Sequence, residues 1–125
     1  MAKFLQEKLQ VPKSHITRLD NEAATSDAIV SLLKKASSND SIKQGDLMVF
    51  FFAGHGGRSK GLNGWKTDDG RVETICPHDM GAQDDGGKHI YGIPDFAVAS
   101  HLGRLAARGV NVVSLHQPSP LFPLT

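Results

Sequence analysis

Residues 47–57 read Leu-Met-Val-Phe-Phe-Phe-Ala-Gly-His-Gly-Gly, and no other stretch restricts the fold as tightly. An uninterrupted apolar run of this kind suits an interior strand of a parallel sheet, covered on both faces. Gly54, Gly56 and Gly57 would let the backbone turn sharply and leave room beside the His55 imidazole. A histidine at the carboxyl end of such a strand sits at the edge where open α/β sheets place their ligands. Imidazole titrates near neutrality, so His55 is a candidate general acid/base and the Gly56 backbone N–H a candidate oxyanion donor. A turn histidine with a purely structural hydrogen bond is the plainer alternative.

The flanking sequence alternates helical and strand patterns. Residues 2–9 carry Phe4, Leu5 and Leu9 on one helical face, and Val11-Pro12 stops that helix. Residues 16–19 predict a short strand. Thr25 is the expected N-cap of a helix reaching Ser37, with Ala28, Ile29, Leu32, Leu33 and Ala36 in helical period. Residues 58–70 read as a charged, glycine-rich loop whose Trp65 either anchors it or contacts a substrate. Residues 72–76 predict a short strand closed by Pro77, and residues 81–87 an exposed loop. A helix over 94–107 has Phe96, Val98, Leu102 and Leu105 on its core face, and Arg108-Gly109 ends it. Residues 110–115 predict the last strand. Residues 116–125, with three prolines and no periodicity, are not expected to extend the sheet. This order makes the fold α/β with a mostly parallel sheet.

A chain of 125 residues with 39% hydrophobic content has room for one domain with a modest core. Fourteen basic residues stand against 13 acidic ones, for a net charge of +1. No Lys/Arg stripe stands out, which argues against a nucleic-acid surface. Lys34-Lys35 closes a helix, where positive charge suits the helix dipole. The single cysteine, Cys76, excludes an internal disulfide and fits a reducing compartment. No apolar stretch approaches the ~20 residues of a membrane span, and residues 1–8 lack the apolar core of a secretory signal. A cytoplasmic protein with no nucleic-acid or membrane partner is expected.

Three ordered segments carry a resemblance: Phe51-Phe52-Ala53-Gly54-His55-Gly56, Glu73-Thr74-Ile75-Cys76-Pro77-His78-Asp79 and Ile90-Tyr91-Gly92-Ile93-Pro94-Asp95. Together they resemble the caspase-like domain of fungal metacaspase-type proteins, in the caspase/metacaspase group of cysteine peptidases. Residues 4–9 and 21–25 resemble that family's stretch between its first helix and second strand, so the likeness spans residues 3–113. It implies a three-layer α/β/α sandwich with a Cys–His dyad at the carboxyl edge of its sheet, acting on a polypeptide substrate. His55 matches the family's catalytic histidine. Gly56 matches the residue whose backbone N–H helps form the oxyanion hole. The implied chemistry is acyl transfer: a thiolate attacks the scissile carbonyl, histidine protonates the leaving amine, and water hydrolyses the thioester.

The chain departs from the family where the nucleophile is due. The strand matching residues 110–113 continues in the family into an Asp-Cys-Cys-His-Ser-Gly-like motif. Here it reads Ser114-Leu115-His116-Gln117-Pro118-Ser119-Pro120, with neither cysteine nor glycine. The family's first strand, and the acidic residue after it that helps form a pocket for a basic P1 side chain, have no counterpart. A partial caspase-like domain is therefore expected over 1–113, truncated at both ends, with a divergent proline-rich tail over 114–125. It keeps the histidine, lacks the nucleophile and is expected to be inactive as encoded, so whether it is an enzyme stays open. The alternatives are a non-catalytic pseudo-peptidase pairing with a full-length caspase-like homologue, and an incomplete gene product.

Cys76, ahead of Pro77, reads as a structural thiol rather than a substitute nucleophile. Ser114 sits within a strand rather than on an elbow, and a nucleophile needs a base within hydrogen-bond reach. The six histidines and the Cys76-Pro77-His78-Asp79 run match no standard zinc spacing. The resemblance makes calcium the cation to consider, because metacaspases of this group often use an acidic loop for activation. Asp95 falls where one ligand would lie, but Val72 and Phe96 stand where others are wanted, so no cofactor is expected and calcium alone is left open. Asp84-Asp85 reads as a solvated loop. Asp79 reads as structural, capping a turn or holding the loop that carries His55.

Overall fold

The computed structural model describes residues 1–60 and 71–118. These residues form three α-helices: α1 (Ala2–Glu7), α2 (Ser26–Ser37) and α3 (Asp95–Ala107). The Thr25 side chain accepts a hydrogen bond from the Ala28 N–H at 3.2 Å and so starts α2. Its inward stripe is Ile29 and Leu33, four residues apart. The stripe of α3 is Val98, Leu102 and Leu105. Phe96 falls off that stripe and is 46% exposed, which corrects its expected place in the core.

Gly109 ends α3 at φ +84°. Its N–H donates to the Ala106 carbonyl at 3.0 Å, and the Val110 N–H donates to the Leu105 carbonyl at 3.1 Å. This is the paired Schellman arrangement, and it carries its usual apolar contact, since Val110 and Leu105 are both buried. Arg108 then reaches back to the end of α2. Its guanidinium donates to the carbonyls of Ser37, Asn39 and Ile42 at 2.9, 2.9 and 2.6 Å.

The strands are β1 (Leu47–Gly54), β2 (Gly56–Lys60), β3 (Arg71–Ile75), β4 (Ile93–Pro94) and β5 (Asn111–Pro118). β1 and β5 pair in parallel from Leu47↔Asn111 to Gly54↔Pro118. β2, β3 and β4 form a separate antiparallel sheet in that order. The chain is thus α/β, with helices beside a parallel pair. Residues 16–19 do not form the expected strand; they run between 3-10 turns at Lys13–His15 and Asn21–Ala23.

β5 corrects the expectation that residue 116 onward could not extend the sheet. β1 offers partners along its whole length, and Pro118 enters only as the last pair, where its missing N–H costs the ladder least. The strand therefore runs unbroken through positions 113 and 114.

Side chains of the parallel pair alternate between two faces. Met48, Phe50, Phe52 and Val112 pack against the core made by α2, α3, Ile75, Ile93 and Val110. α3 packs on α2 and touches both sheets, so it is the element that joins them. The opposite face of the parallel pair leaves Leu47, Val113 and Leu115 exposed, at 62, 40 and 41%. Among the described residues β1 has one neighbouring strand, not the two its composition predicts.

Candidate active site

His55 stands between Gly54, the last residue of β1, and Gly56, the first of β2. The half-buried histidine is therefore the link by which the chain passes from the parallel sheet into the antiparallel one. The Cys76 N–H donates to the His55 carbonyl at 2.9 Å. His55 and Cys76 thus oppose each other one step beyond the Gly56↔Ile75 pair. Antiparallel ladders alternate bonded and non-bonded pairs, so Gly56↔Ile75 is a non-bonded pair. The Gly56 N–H is turned away from β3, toward the outer edge of β2, which is an end strand of its sheet.

The glycines here serve close approach rather than a sharp turn. Gly54, Gly56 and Gly57 are not among the residues with positive φ. A Cβ at Gly54 would lie 3.0 Å from the Phe52 ring. One at Gly57 would lie 3.3 Å from Thr74 Oγ1 and 3.6 Å from Cys76 Sγ. Across β3, a Cβ at Gly92 would come within 2.6 Å of the same Thr74 hydroxyl. Thr74 is buried between these two glycines, and its hydroxyl has no hydrogen-bond partner.

Cys76 carries a free, half-buried thiol, and burial pushes its pKa above the ordinary value. Such a thiol stays protonated at neutral pH, whereas the nucleophile of acyl transfer is the thiolate. Its position opposite His55 was invisible in the sequence, because a strand register between distant segments sets it.

Alongside β1, the carboxyl half of β5 presents Ser114 and His116. Ser114 Oγ lies 3.3 Å from His116 Nε2. The His116 ring meets Phe50 and Phe52 edge-on, with centroids 6.3 and 6.2 Å apart. Ser114 therefore does have an imidazole within hydrogen-bond reach, contrary to expectation. The signal was available, since residues two apart on a strand share a face. Both side chains are exposed and lie within the strand rather than on an elbow.

The segment after Cys76 is tied to the start of α2. The Ser26 N–H donates to Asp79 Oδ1 at 2.8 Å, and the His78 N–H donates to the Ala24 carbonyl at 2.8 Å. Asp79 therefore caps α2. Asp84 does more than face solvent: its Oδ1 accepts from the N–H groups of Gly86 and Lys88, both at 2.9 Å, and so shapes the turn. Asp95 is the exposed first residue of α3. Trp65 lies outside the described residues. Among the described residues no three His, Cys, Asp or Glu side chains gather as they would around a metal ion.

A family model described as "Metacaspase, peptidase C14 domain" matches residues 1–91. The chain belongs to the metacaspase peptidase C14 family. The part of the metacaspase domain matched takes in His55, Gly56, Cys76 and Asp79, and ends ahead of β4, α3 and β5. No curated protein and no solved structure gives a match.

Proposed function

We propose that this metacaspase domain keeps the acid/base half of a Cys–His dyad at His55 and lacks the nucleophile, so that it does not turn over peptides as encoded. The observation that carries this is the content of β5. Running in register beside β1, it offers Ser114, Leu115 and His116 where the resemblance calls for a cysteine. The sequence's one cysteine is on the other side of His55, next to β3, with its thiol pKa raised by burial. The outward Gly56 N–H supports a role as oxyanion donor, and the position of His55 at the carboxyl end of β1 supports the acid/base assignment. A base and a donor without a thiolate complete no acyl transfer. In the three-layer sandwich of this reading, α2 and α3 are one layer, and the face bearing Leu47, Val113 and Leu115 takes the other.

The test is hydrolysis of fluorogenic peptides ending in Arg or Lys, with and without calcium. No turnover above buffer is expected from the wild type, His55→Ala or Cys76→Ala. Cleavage by the wild type that His55→Ala abolishes would overturn the proposal. The edge of β1 that no strand covers among the described residues favours a second reading, a non-catalytic module that adds to the sheet of a full-length homologue. Co-purification with such a homologue, lost when Val49 is replaced by proline, is the outcome expected of that module.

A further inference from the structure

Between the start of α2, residues 79–92 and the start of α3 lies an open cleft of about 340 Å³. It shares no lining residue with His55, Gly56 or Cys76. Its floor is apolar, formed by Val30, Ile90, Ile93 and Ala97, all buried or half-buried. Its rim carries the carboxylates of Asp27, Asp79 and Asp84 and, among the described residues, no lysine or arginine, in a chain whose net charge is +1. One wall is aromatic: Tyr91, 70% exposed, stands beside His89 with ring centroids 5.5 Å apart.

The walls are fixed before any ligand arrives. Asp79 Oδ1 holds the Ser26 N–H, and Asp84 Oδ1 holds two turn N–H groups. The Gly81 N–H donates to the Ile90 carbonyl at 2.8 Å, and the Ile90 N–H donates to the Ala82 carbonyl at 2.9 Å, which closes residues 81–90 into a hairpin. Each of the two wall aspartates is oriented by Oδ1 bonds to the backbone, and its Oδ2 takes no part in them. Preorganisation of this sort lowers the ordering cost of binding.

We propose that this cleft receives an arginine or lysine side chain presented by an extended segment of a partner protein. The aliphatic stem of such a side chain would lie on the apolar floor. Its cationic head would meet the Tyr91 face and the carboxylate rim. This docking is independent of catalysis at His55.

The test is a two-dimensional amide NMR titration of the whole chain with the probe Ac-Gly-Ala-Arg-Ala-Gly-NH2, its lysine counterpart and its citrulline counterpart. Shifts centred on Asp27, Tyr91, Gly92 and Ala97 are expected with the two basic peptides and not with the citrulline one. Tyr91→Ala and Asp27→Asn, both at exposed positions that hold no wall in place, should each weaken binding roughly two- to fivefold. His55→Ala should leave it unchanged. Equal binding of the citrulline peptide, shifts centred on residues 55–57, or unchanged affinity in both cleft variants would overturn the proposal. So would calcium alone producing the same shifts and displacing the peptide, which would make the cleft a cation site.

Discussion

Cys76 and His55 oppose each other at the end of the β2–β3 ladder, and the state of the thiol decides what that proximity can do. Burial raises the Cys76 pKa. Iodoacetamide at neutral pH is therefore expected to alkylate Cys76 more slowly than free cysteine, at a rate that His55→Ala leaves unchanged. Labelling faster than free cysteine, slowed by His55→Ala, would mean an imidazole-activated thiolate. His101 on α3 is a second titratable group with a defined sign. Burial lowers its pKa, and the charges of Arg104 on the same helix and Lys34 on α2 lower it further. Its buried Nδ1 has no hydrogen-bond partner. The folded state then binds this proton less readily than the unfolded chain does. Its contribution to stability is complete above the ordinary value of 6.5 and is lost as the pH falls below it. Urea midpoints measured from about pH 7.5 down to about pH 5 should fall less steeply in His101→Gln than in the wild type. Parallel curves would rule His101 out as the cause.

Two glycines of the α3 region make opposite predictions at the scale of the element. Gly103 is inside α3 with open space around a prospective Cβ. Gly103→Ala should stabilise the chain by about 0.5–1 kcal/mol. Gly109 holds the left-handed residue of the Schellman cap, and a Cβ there would meet Gln44 Cγ at 2.6 Å. Gly109→Ala should destabilise by about 1–2 kcal/mol. Urea midpoints of the two variants check both signs at once; a shift in the same direction would contradict this account of the cap. Elements written in local code were legible in the sequence: the Thr25 cap, the stripe of α2, the Gly109 stop and the apolar β1 that ends just ahead of His55. β2 was not, because Gly56-Gly57-Arg58-Ser59-Lys60 has no apolar alternation and pairs through its backbone with β3. The strand expected at 16–19 lacks a described neighbour to pair with, and β5 outran its expected end because its length is set by β1.

For the whole molecule, His55 is the hinge between a parallel pair and an antiparallel sheet, and α3 clamps the two together. The candidate acid/base His55 was legible, since it lies in a local motif. Its surroundings were not. The opposition of Cys76, the outward Gly56 N–H and the capping of α2 by Asp79 all arise from register or long-range packing, and a linear pattern records neither. The central claim is that no side chain near His55 acts as a nucleophile. Intact-mass analysis after incubation with a peptidyl chloromethyl ketone ending in arginine, at neutral pH and with calcium, tests it most directly. An unchanged mass is predicted for the wild type. A one-to-one adduct on Cys76 or Ser114 that is absent in His55→Ala would contradict it.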